Sequence, residues 1–178
     1  MGFGLYDNRF CIVGDEMSLI KPMVSSKSNE WATPKRLFDF LNKEFNFNLD
    51  PCCTHENKKC VKHYTIEEDG LSMSWGGDRV FINPPYGGHT KKWLEKAKHE
   101  SHEHHAICVC LIVSSTDRSY WHEVIYPFAQ EIRFMRGRVK FGDSKSTAPF
   151  ASAIVVFNYA NRQSPCKISF VDYREVHQ

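Results

Sequence analysis

The sequence predicts a single α/β domain: a mostly parallel sheet with helices on both faces and an antiparallel hairpin toward one edge. Three observations predict it. Strand-like and helix-like stretches alternate through the middle of the chain, the pattern of parallel strands joined by helical crossovers. Residues 106–114 are almost wholly apolar, as a central strand covered on both faces must be. After residue 130 strand-like runs follow one another at 131–134, 139–141 and 151–157, and such a late cluster favours antiparallel pairing.

Each element has a local reason. Thr33-Pro34 reads as an N-cap and first-turn proline opening an amphipathic helix over 35–41. Residues 45–50 alternate Phe45, Phe47 and Leu49 with polar neighbours and read as a strand ending at Asp50. Residues 52–65 read as a short helix or an irregular crossover. Residues 80–82 are a buried strand. Residues 90–104 form a helix with Trp93, Leu94 and Ala97 inward and Lys91, Lys92, Glu95, Lys96 and Lys98 outward. A helix around Trp121, Val124 and Phe128 fills 119–130, broken near Pro127. A last edge strand is expected at 167–173. Residues 1–28 stand apart as an N-terminal extension of flexible character, so the folded domain begins near Asn29.

Composition bounds the class. The chain has 178 residues, 42% apolar and 25% charged, enough for one core and too hydrophobic for disorder. No run of about 18 apolar residues is present, so no membrane helix is expected. No basic-then-apolar leader is visible either. Seven cysteines, an odd number, show no disulfide framework, and Cys108 and Cys110 lie in an apolar run; a reduced, cytoplasmic protein is expected. Cys52, Cys53, His55, Cys60 and His63 include plausible zinc ligands but no paired Cys-x-x-Cys knuckles, and His99, His102, His104 and His105 read as a solvated helix end, so no metal is assigned. The net charge of +2 means that any contact with DNA must be local.

The most informative run is Asn83-Pro84-Pro85-Tyr86, directly after the apolar strand. Two prolines stop the strand, and ligands of open α/β sheets bind at strand carboxyl ends. The Asn83 side-chain oxygen and the Pro84 carbonyl can accept both hydrogens of an exocyclic amine, while the Tyr86 ring stacks on the base. Such acceptors favour a pyramidal amine whose lone pair attacks a methyl group, without a strong general base. A plain strand-terminating turn is the alternative reading of these four residues alone.

Further segments in order carry a resemblance: Trp31-Ala32-Thr33-Pro34, Leu49-Asp50-Pro51-Cys52, Glu68-Asp69-Gly70-Leu71 then Trp75, Ser115-Thr116-Asp117 then Trp121, and Gly137-Arg138 then Phe141. Together with Asn83 to Tyr86, they make the chain resemble the phage-type DNA adenine-N6 methyltransferases, the small Dam-like enzymes. The resemblance implies a Rossmann-like class I fold dependent on S-adenosylmethionine, over residues 29–178, without a separate recognition domain. It implies double-stranded DNA as partner and adenine N6 as target, with protection of phage DNA from host restriction as purpose and the host cytoplasm as location. It places Trp31, Thr33, Pro34, Asp50, Pro51 and Cys52 at the cofactor. Asp50 would accept from the cofactor's ammonium or ribose, or act as a plain cap. Asp69 would lie near the cofactor's adenine, or on a surface turn. Trp75 is assigned to the core. The glycine-rich turn of the broader methyltransferase pattern is absent, since no glycine occurs between Gly14 and Gly70. Arg118, Arg136, Arg138 and Lys140, with Arg133 beside them, are candidates for DNA phosphates, Lys35, Lys91 and Lys92 weaker ones, and the polar loop 142–149 for selectivity. Cytosine-N4 methylation, RNA or protein-amide methylation, and a catalytically retired zinc or nucleic-acid-binding module remain the competing readings.

Overall fold

The computed structural model describes residues 31–142 and 146–177. The expected extension over 1–28, and Asn29 where the domain was expected to begin, lie outside the described residues. Among these, strands β1 (Leu49–Asp50), β2 (Lys62–His63), β3 (Arg79–Ile82), β4 (Ile107–Val113), β5 (Glu131–Arg136), β6 (Ser152–Phe157) and β7 (Lys167–Asp172) form one sheet. Its order is β2-β1-β3-β4-β6-β5-β7. The pairings β1–β2, β1–β3, β3–β4 and β5–β7 are parallel. Only β6 runs against its neighbours, β4 and β5. The α/β class holds, and the antiparallel pairings fall in the expected late part of the chain.

Alternation along the strands divides the core in two, because successive side chains point to opposite faces. Val80, Ile82, Cys108, Cys110, Ile112, Ala153, Val155 and Phe157 pack with Trp93, Leu94 and Ala97 of helix α2 (Thr90–His104) and with Trp121. Phe81, Val109, Leu111, Ile154 and Val156 pack on the other face with Leu37, Phe38 and Leu41 of helix α1 (Lys35–Phe45). Both faces of β4 are therefore covered, which is why its sequence is uninterruptedly apolar.

Several expectations need correction. Thr33 does not cap α1: Pro34 holds that position, no side-chain cap bond forms, and the Pro34 carbonyl accepts from Leu37 and Phe38 N–H. The helix runs on to Phe45, so the expected strand over 45–50 shrinks to Leu49–Asp50. Asn46 turns left-handed there (φ 51°), and the Asn42 side chain accepts from the Phe47 N–H at 2.7 Å. Residues 139–141 pair with no strand. Val139 and Phe141 are buried, but within a loop closed by Ala148 N–H donating to the Val139 carbonyl. Residues 121–125 form a π-helical turn, followed by a short helical turn at Tyr126–Phe128. Phe128 is exposed rather than core, with the Lys98 ammonium 4.7 Å from its ring. Lys96 does not face water: its ammonium pairs with buried Glu100 at 2.5 Å. Of the two readings of 52–65 the irregular crossover holds, and it also supplies β2.

Candidate active site

The order of the strands creates the site. From β1 the chain moves outward to β2, then returns to the opposite side of β1 as β3 and continues to β4. The direction of winding reverses between β1 and β3, and a crevice opens outside their carboxyl ends at such a switch point. Leu49 is level with Val80, so Asp50-Pro51 and Asn83-Pro84 emerge side by side from adjacent strand ends. A cleft of about 190 Å³ lies there. Trp31, Thr33, Asp50, Pro51, Cys52, Asp69, Asn83, Pro84 and Pro85 all line it.

Asn83 is fixed by its own amide. Its nitrogen donates to the Trp31 backbone carbonyl at 2.5 Å. A carbonyl only accepts, so the side-chain nitrogen must face it and the oxygen must face elsewhere. That oxygen is buried and has no hydrogen-bond partner among the described residues. An acceptor left in this state is destabilised by about 1–3 kcal/mol, recovered when a donor arrives. Among the described residues the Pro84 carbonyl accepts no hydrogen bond either, whereas the Pro85 carbonyl accepts from the Thr90 hydroxyl at 3.1 Å. This last bond ties the turn to the start of α2.

Asp50 is almost fully buried. Burial raises its pKa, opposed by the Lys59 and Cys52 backbone N–H groups, which donate to its two oxygens at 3.0 and 3.4 Å. The carboxylate thus staples the loop after β1 while keeping capacity for a cationic or hydroxyl donor. Asp69 sits at the exposed rim in a left-handed turn (φ 50°), accepting from Leu71 and Ser72 N–H. Behind it, the Gly70 carbonyl accepts from the Trp75 indole at 2.9 Å, and the Trp75 N–H donates to Glu100 at 2.9 Å. Trp75 is fully buried and lies stacked on Trp93, another residue of the cleft wall.

Tyr86 and Pro34 lie outside the cleft wall. The Tyr86 ring meets Phe150 and Phe141 edge-on at 5.3 and 6.1 Å, and both phenylalanines also contact Trp31. Its hydroxyl is buried and without a partner among the described residues, and burial pushes its pKa above the usual phenol range. Sequence reasoning missed Phe150 in this four-ring group, and missed Phe81, Trp93, Thr65 and Lys59 in the wall, since nothing local marks them.

Arg118, Arg136, Arg138 and Lys140 are exposed. β4 and β5 both run against β6 and so run in the same direction. Arg118 after β4 and Arg138 and Lys140 after β5 therefore stand at the same sheet edge as Asn83. Arg136 already pairs with Asp172 at 3.4 Å, and Arg138 donates to the Ala148 carbonyl at 3.4 Å. Arg133 must be withdrawn as a phosphate candidate: it is buried and bonds both oxygens of Glu44 at 2.6 Å, with Glu131 at 2.9 Å. In the Cys52–His63 group, His55 and His63 bring ring nitrogens within 3.1 Å, while the Cys53 thiol donates to backbone carbonyls. Burial pushes the Cys53 and Cys60 thiols up to about 12, and among the described residues no three metal-ligating side chains converge.

The chain is 26% identical over 161 residues to the DNA N-6-adenine-methyltransferase of Haemophilus phage HP1 (strain HP1c1), covering 86% of this chain and 92% of that protein. It is 33% identical over 76 residues to the DNA N-6-adenine-methyltransferase of Escherichia phage T1, covering 40% of this chain and only 32% of that one. It is 34% identical over 65 residues to the putative methyltransferase YfdM of Escherichia coli (strain K12), covering 33% of this chain and 71% of that protein. Residues 22–178 match the family described as DNA N-6-adenine-methyltransferase (Dam), and the chain belongs to that family.

Proposed function

We infer that this chain transfers a methyl group from S-adenosylmethionine to the exocyclic N6 amine of adenine in double-stranded DNA, in the cytoplasm. The observation that carries the reading is the Asn83 oxygen: buried, without a partner among the described residues, held by its own amide nitrogen, and on a residue of the cleft wall. Family membership supplies the reaction class.

The wall fits the donor. It offers a buried carboxylate at Asp50 and a second at Asp69 for ammonium, ribose or base amine, a hydroxyl at Thr33, and flat apolar surfaces at Trp31, Phe81, Pro51 and Trp93. When bound there, S-adenosylmethionine supplies an electrophilic methyl on a sulfonium. The chain does the rest by position. An adenine turned out of the duplex, at a few kcal/mol of unstacking, meets Asn83 Oδ1 and the Pro84 carbonyl through its amine hydrogens. Those two bonds orient the nitrogen lone pair and favour its pyramidal form. Tyr86, steadied by Phe141 and Phe150, supplies a ring for the base. The basic groups on the same edge, Arg118, Arg138 and Lys140, take flanking phosphates. No helix among the described residues is long and apolar enough to cross a membrane.

The test is methyl transfer from labelled donor to mixed-sequence DNA, with the modified nucleoside identified by mass spectrometry. N6-methyladenine is expected; N4-methylcytosine would replace the adenine assignment. Asn83→Ala should lower turnover by about 10²–10³-fold, the scale of a lost oriented polar contact, with donor affinity nearly unchanged. Wild-type turnover in that variant would remove Asn83 from the site.

A further inference from the structure

The missing glycine-rich turn leaves one end of the donor without an obvious receiver. A nucleotide-type turn normally presents free backbone N–H groups to an anion. Here the described residues of the loop leaving β1 that line the cleft have none to offer it. Cys52 and Lys59 N–H donate to the Asp50 carboxylate. Cys53 N–H donates to the Tyr64 carbonyl and Lys58 N–H to the Thr54 carbonyl. Thr54 N–H donates to the Asn57 side chain, and Glu56 and Asn57 N–H donate to the Thr54 hydroxyl. Pro51 has no N–H, and His55 is exposed and outside the wall.

The same loop carries Lys59, the only basic residue among the described residues of the cleft wall. Its backbone N–H donates to the Asp50 carboxylate at 3.0 Å, so the residue is anchored beside that group. Yet among the described residues no acidic oxygen lies within ion-pair distance of its ammonium. The cleft therefore combines a buried carboxylate with an unpaired ammonium on one loop, the charge pattern complementary to a zwitterionic amino-acid group.

We propose that Lys59 binds the α-carboxylate of the methyl donor and so replaces the backbone anion site that this chain lacks. This rests on the donor reading above, and the experiment separates the two. Calorimetric titration compares S-adenosylmethionine with decarboxylated S-adenosylmethionine, which keeps the adenosine, sulfonium and amine but has no carboxylate. Wild-type protein should prefer the intact donor. Lys59→Met keeps the aliphatic stem and should bind the intact donor about tenfold to a hundredfold more weakly, the range for a lost charge-assisted bond. Its affinity for the decarboxylated compound should stay within about twofold, and Lys59→Arg should restore most of the preference. Equal weakening for both compounds would reduce Lys59 to a structural role and overturn the proposal, as would an unchanged preference in Lys59→Met. Wild-type protein that binds neither compound would overturn the donor reading, and this proposal with it.

Discussion

Gly70 shows how narrowly a single residue supports the cleft. A Cβ placed there would overlap the Pro51 carbonyl oxygen and lie 3.2 Å from the Pro51 Cβ. Backbone, not a flexible side-chain tip, is in the way, so β1's exit must shift. Gly70→Ala should therefore destabilise by about 1–3 kcal/mol, the scale of overpacking, and weaken donor binding as Asp50 moves with Pro51. Gly88→Ala, where a Cβ meets nothing within 4 Å, is the control and should stay within about 0.5 kcal/mol. Thermal melts and donor titration on both variants check this. Residues differ in how well sequence exposes them. The place of Asn83 and Pro84 on the cleft wall was readable because its signals are local: a strand end, two prolines and an amide. Arg133 was misread as a phosphate ligand because its partner Glu44 is 89 residues away. Lys59 and Thr65 reach the wall only through the tertiary path of an irregular loop, which leaves no periodic trace.

Between elements, the ion network that joins α1 to β5 and β7 governs response to acid. Burial alone would raise the Glu131 pKa, but bonds from Arg133, Ser169 and Lys167 outweigh it and hold the carboxyl at about 2 against an ordinary 4.5. The folded pKa is depressed, so this stabilisation is complete above pH 4.5 and is lost as pH falls toward 2. Unfolding free energy by denaturant titration should drop by a few kcal/mol across that window, and Glu131→Gln should flatten the slope. Half-buried Asp172 titrates in the same range, held down by Arg174, so the variant is needed to assign the effect. Arg133→Met leaves Glu131 buried without its guanidinium and should destabilise at neutral pH by about 3 kcal/mol. The elements themselves were unevenly legible. β3, β4, β6 and α2 carry long apolar patterns that match their period. β1 and β2 are two residues each, and exposed Lys62 gives β2 no apolar signature. Val139 and Phe141 alternate like a strand because a buried loop also hides every second side chain.

Across the whole molecule the net charge is only +2, so the proposed DNA contact rests on local basic groups such as Arg118 and Lys140. Arg118→Ala and Lys140→Ala should each reduce the slope of log affinity against log salt by about 1, uniformly across DNA sequences and without changing donor affinity. Fluorescence anisotropy over a salt series measures it, and an unaltered slope would remove that residue from the phosphate contacts. The fold class was legible because alternation of strand and helix survives in the sequence, whereas strand order was not, since no local pattern says that β6 enters between β4 and β5. That placement shapes the birth of the protein. Once Val113 has left the ribosome, one side of β4 must wait for residues 114–151 to be made before its neighbour arrives. At about 5–20 residues per second this is roughly 2–8 s with an apolar strand unprotected. Nascent chains halted in this interval are the ones that chaperones should capture, and shortening the wait by faster codons should raise the soluble yield.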